Sequence, residues 1–178
     1  MALSSFYTPA TCQIFLSSGD DAHDLRDLVN DLVDDAVNPQ LRRANMPHQL
    51  AVERWELEAA ERNAPGEDGN ARFVALAKGS TVTLCLLIER LGAGTKEEIE
   101  AVLDETEDVD LAVLWFVPVT EWPMSEVGTF LDSRKAEIHI DFGGPPDGPG
   151  AVVAIVKLLF KHVLKLMQPP SEERRERR

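Results

Sequence analysis

Between Leu86 and Ile99 the chain reads Leu-Leu-Ile-Glu-Arg-Leu-Gly-Ala-Gly-Thr-Lys-Glu-Glu-Ile. An apolar, β-type run from Thr81 to Ile88 enters a loop that holds Gly92 and Gly94, and Thr95 follows where a helix can begin. Glu98 then falls in the first turn of that helix. In an open α/β sheet, ligands bind beyond the carboxyl ends of strands, beside helix N-termini. A carboxylate at this place stands where a catalytic group is wanted. Thr95-x-x-Glu98 also matches a capping box, in which two side chains satisfy backbone N–H groups of the new helix. Both roles are open to Glu98 on sequence alone.

A second group of polar residues ends another apolar run. Cys12 to Leu16 reads as a compact strand, and Ser17-Ser18-Gly19-Asp20 stops it. Hydroxyls and backbone N–H groups at such a turn can hold the oxygens of a polar or anionic ligand. Ser18 can equally cap the next helix, with Asp20 and Asp21 matched to its positive end. Arg90 can bind phosphate or pair with Glu89 or Glu98. Trp55 can stack on a planar ligand or serve as core. His23, His48, His139 and His162 have no metal-ligand spacing, and there is no Ser-His-Asp constellation. Gly92-Ala93-Gly94 lacks the third glycine of a dinucleotide fingerprint. No metal and no resident cofactor are expected.

The elements that must position these residues alternate. A helix runs from the Ser18 region through Leu25, Leu28, Val29, Leu32, Val33 and Val37, whose spacing gives one apolar face. Asn38-Pro39 is expected to end it. Gln49 to Trp55 is a candidate second strand, Glu56 to Asn63 is rich in helix formers, and Ala64 to Asn70 reads as a loop. Phe73 to Ala77 suggests a short helix closed by Gly79. Thr81 to Ile88 and Leu111 to Val117 read as central strands covered on both faces. Thr95 to Thr106 and Ser125 to Lys135 read as helices. Glu137 to Phe142 alternates, as an edge strand should. Gly143 to Gly150 is a Pro/Gly loop, and Ala151 to Met167 is the last helix. Residues 1–11 read as an arm, 12–168 as one domain, and 169–178 as a disordered charged tail. The order predicts an α/β, flavodoxin-like three-layer fold with a five-stranded, mostly parallel sheet in the order 2-1-3-4-5. Its switch point lies between the first and third strands, so the Ser17 and Glu89–Glu98 loops flank one crevice.

Bulk properties narrow the partners. The chain has 178 residues, of which 44% are hydrophobic, enough for one domain with an ordinary core. A formal net charge of −13 argues against non-specific nucleic-acid binding. Cys12 and Cys85 lie in apolar runs and read as buried reduced thiols. With no charged region ahead of an apolar one at the N-terminus, a cytoplasmic location is expected. The last helix, interrupted by Lys157, Lys161 and Lys165, is not a membrane span. Its apolar arc serves sheet packing, with a dimer or partner interface as the alternative.

Ile14-Phe15-Leu16-Ser17-Ser18, followed by Asp20, Asp24-Leu25 and Arg26, resembles the opening of TIR-like domains. The similarity is nearest to the uncharacterised N-terminal modules of bacterial STAND-type NTPase proteins. Leu87 to Ala101 resembles a segment of those modules and the "GT..E.G.A" segment of nucleoside 2-deoxyribosyltransferases. The resemblance spans Cys12 to Val117 with gaps. It implies a crevice for a nucleoside or nucleotide, NAD among them as substrate, and a carboxylate acting at the N-glycosidic bond. Motif matching puts that role on Glu98, with Glu97 its immediate neighbour. An ionised carboxylate suits the oxocarbenium-like state of such cleavage, and a helix N-terminus favours ionisation. The resemblance further implies signalling or defence, with a homo-oligomer or a partner NTPase protein. The reading that competes with an enzyme is a catalytically silent interaction or sensor module.

Overall fold

Six consecutive buried residues, Val82–Leu87, form the middle strand of the sheet. Strands covered on both faces have no room for alternation, which is why this stretch is apolar apart from Thr83, whose hydroxyl donates to the Ala77 carbonyl. The computed structural model describes residues 10–53, 69–105, 110–117 and 125–167. Its strands are β1 (Ala10–Ser18), β2 (His48–Glu53), β3 (Val82–Leu87), β4 (Asp110–Trp115) and β5 (Ile140–Phe142). All pairings are parallel, and the five strands lie in the order β2-β1-β3-β4-β5. The fold is the α/β, flavodoxin-like one expected, with the first, third and fourth strands as buried neighbours.

The period of two along each strand divides the core. Ile14, Leu16, Leu84, Leu86 and Leu114 face one side. There they meet α1 (His23–Asp31), a π-helical turn (Leu32–Val37) and the last helix, α6 (Pro149–Met167). Phe15, Cys85, Leu87, Val113 and Trp115 face the other side. It is covered by α3 (Gly69–Gly79), α4 (Ala93–Glu105) and α5 (Glu126–Arg134).

Several local expectations are corrected. The first long helix does not stop at Asn38-Pro39 but continues as α2 (Asn38–Arg43). The π turn before it moves the Asn38 N–H onto the Val33 carbonyl, an i→i−5 bond. The wider turn admits a proline, whose missing N–H and ring break an ordinary helical register. Asn38 is buried, and its side-chain amide bonds both the N–H and the carbonyl of Leu50, tying α2 to β2. Ser18 caps nothing, since it is the last residue of β1. Gly19 instead precedes a 3₁₀ turn, Asp20–Ala22. α4 begins at Ala93, two residues before Thr95, so Thr95 is not the N-cap of a capping box. α3 begins at Gly69, inside the expected loop. β1 begins at Ala10, inside the expected arm. β5 keeps only the last three residues of its predicted run. α6 begins at Pro149, where proline suits a first helical position.

Among the described residues no helix is long and apolar enough to cross a membrane. Cys12 and Cys85 are buried free thiols. Trp55, the helix-rich stretch 56–63, and the segments 1–9 and 168–178 lie outside the described residues.

Candidate functional site at the sheet switch point

β1 and β3 are adjacent, and the connections that leave them run to opposite faces of the sheet, so their carboxyl ends mark the switch point. The two loops there are fastened to each other. The Asp21 carboxylate accepts hydrogen bonds from the backbone N–H groups of Glu89 and Arg90, each at 3.0 Å. Gly19 lies so near the β3 loop that a Cβ on it would be 2.8 Å from the Arg90 carbonyl oxygen. Only glycine permits this approach without displacing backbone. Asp21 therefore clamps the loops; side-chain contacts of Asp20 lie outside what is described.

Beside this clamp opens a cleft of about 520 Å³, within the range of small-molecule sites. Ser18, Arg90, Gly94, Thr95 and Glu98 all line it, as the strand-end reading expected. Glu97 does not line it. One helical residue turns a side chain by about 100°, and the Glu97 carboxylate is instead held by the Asn70 side-chain amide.

Glu98 is 6% exposed. Its Oε2 accepts the hydroxyl proton of Ser17, itself 1% exposed. The pairing follows from strand register. Ser17 and Cys85 are direct neighbours on β1 and β3. Their side chains share the face that α4 covers, and Glu98 is on α4. Burial pushes the Glu98 carboxyl up to about 7; the Ser17 hydrogen bond pulls it down, and nearby Glu97 pushes it up. This corrects the expectation that the helix N-terminus keeps it ionised: removal from water outweighs the helix end. Near neutrality Glu98 exchanges a proton readily, as a general acid or base should. Burial, together with the Glu98 carboxyl, also pushes the Cys85 thiol far up, which removes it as a nucleophile.

The paired serines have different fates. Ser17 does not line the cleft and is committed to Glu98. Ser18 lines the cleft, and its Oγ accepts from the Arg26 guanidinium at 2.8 Å. Sequence reasoning missed Asn70, Phe73 and Glu126, which also line it. Phe73 reads as a core residue, and it does pack on the cluster around Phe15. Glu126 follows Ser125, whose Oγ caps α5 by accepting from the Gly128 N–H at 3.0 Å. That helix follows β4, so the strand-end rule is the signal that could have found it.

Among the described residues no group of three His, Cys, Asp or Glu side chains could hold a metal ion. No protein-family model and no curated protein matches the chain.

Proposed function

We propose that this is a TIR-like domain whose cleft binds a nucleoside or nucleotide, NAD among the candidates, and cleaves its N-glycosidic bond. The observation that carries the reading is Glu98: a buried carboxyl, held at one oxygen by Ser17, on the wall of a cleft at the sheet switch point. Cleavage passes the bonding electron pair to the base nitrogen and leaves positive charge on the sugar's anomeric carbon. The ionised Glu98 carboxylate stabilises that charge until water adds and releases a proton. Ser17 fixes the carboxylate's orientation and favours its charged form. Phe73 offers an aromatic face for the base, and Arg90 a cation at the cleft. The role of Trp55 in stacking remains part of the same proposal.

The silent-module reading has one observation in its favour: the Ser17–Glu98 hydrogen bond also satisfies a buried polar pair, which any fold requires. Paired substitutions separate the two. Glu98→Gln keeps size and accepts the same hydroxyl but cannot bear charge. It is expected to abolish release of free base, while Glu97→Gln retains most of it. Loss on Glu97→Gln with activity kept in Glu98→Gln would contradict the assignment.

A further inference from the structure

Arg26 is charged, yet only 3% exposed, and its guanidinium donates to the Ser18 hydroxyl oxygen at 2.8 Å. A guanidinium has five N–H donors and no acceptor. In this contact Ser18 must accept. Its single proton is then directed elsewhere, and no acceptor among the described residues takes it. Ser18 lines the cleft and is 8% exposed. The neighbouring serine has the opposite polarity, since Ser17 gives its proton to Glu98. From this pair of contacts we infer that Arg26 is a positioning residue that makes Ser18 an obligatory hydrogen-bond donor to an oxygen of the ligand.

The inference deepens the proposed nucleoside or nucleotide site and rests on its location, but not on bond cleavage. The shared chemistry is an acceptor oxygen, which a phosphate or a sugar hydroxyl could supply. A donor-only group of the ligand is excluded from this position. Side chains at position 26 can be chosen to separate hydrogen-bond polarity from packing. Lysine donates and cannot accept. Glutamine is close in length but can accept, so it lets Ser18 turn its proton inward.

The test is binding by the full chain, followed in ¹⁵N–¹H NMR titrations with ribose, ribose 5-phosphate and inorganic phosphate. Wild type is expected to bind ribose 5-phosphate. Ser18→Ala and Arg26→Gln should each weaken it by about tenfold, the scale of one hydrogen bond to a charged or strongly polar group. The double variant should be no weaker than either single one, and Arg26→Lys should stay near wild type. If phosphate supplies the oxygen, inorganic phosphate binding falls in parallel and ribose binding does not; if the sugar does, the reverse holds. Additive losses overturn the inference, because they assign Arg26 a role independent of Ser18. Equal losses in Arg26→Lys and Arg26→Gln overturn it too, as does failure of wild type to bind any of the three probes. None of these results depends on whether Glu98 cleaves anything, so the two proposals fail separately. Ser18→Ala removes only a hydroxyl, which keeps the test sound if substitution of buried Arg26 unfolds the domain.

Discussion

Replacing Glu98 by glutamine should stabilise the protein, and by an amount that grows with pH. The carboxyl titrates at about 7 in the folded chain against an ordinary 4.5. A raised value means that the native state binds more protons than the unfolded state across this interval. Stability from this group is therefore full below 4.5, declines as pH rises toward 7, and is flat above it. At about 1.4 kcal/mol per pH unit, the decline amounts to about 3 kcal/mol. Glutamine has no proton to lose and can still accept from Ser17, so Glu98→Gln escapes the decline. For a domain of this size, 1 kcal/mol moves Tm by roughly 2–4 °C, so the variant should melt higher by roughly 6–12 °C at pH 8. At pH 5 the two should melt within a few degrees of each other. Thermal unfolding followed by circular dichroism from pH 5 to 8 gives the comparison. A difference independent of pH, or a variant less stable at pH 8, would refute the premise that burial holds this carboxyl near neutrality.

Ser17→Ala removes a contact that favours the Glu98 charge; the carboxyl resonance in ¹³C NMR should then titrate at a higher pH, and any cleavage activity should need more alkaline solution. Cleavage by wild type should rise with pH through about 7, because the ionised form is the active one; a rate falling over that interval would reverse the role of Glu98. Gly19→Ala places a methyl group 2.8 Å from the Arg90 carbonyl oxygen and should cost about 1–3 kcal/mol in urea unfolding, with loss of ligand binding as the clamped loops separate. Leu159, 3% exposed on α6, should not tolerate aspartate, whereas Val153, 66% exposed on the same helix, should accept it with little change in Tm.

What was legible in the sequence was decided by how many residues carry each signal. β3 and β4 are short and nearly all apolar, and the next described element after each is a helix. Burial on both faces forces that composition, so the sheet order followed from it. The junctions were harder, because single contacts decide them. Pro39 breaks an ordinary helix, and nothing local shows the π turn that accommodates it. The Thr95-x-x-Glu98 spacing fits a capping box, but the claim on Glu98 comes from Ser17, 81 residues earlier in the chain. Burial raises the Glu98 pKa, which its place on a helix alone would lower, and the Ser17 contact offsets only part of that rise. Ser18 and Arg26 are eight residues apart. Their contact joins the last residue of a strand to the first turns of the following helix, and no periodicity reports that. Phe73 and Glu126 reach the cleft on elements whose local patterns say only that they are helices, and Asn70 reaches it from a stretch whose pattern says loop.

The most direct test of the central claim is base release. The purified 178-residue chain is incubated with NAD and with a panel of ribo- and deoxyribonucleosides at pH 8, and free base is measured by chromatography. Wild type is expected to release base from at least one of these compounds, and Glu98→Gln, folded and of higher Tm, from none. Release at equal rates by the variant, or no release by wild type from any of them, would contradict a catalytic Glu98.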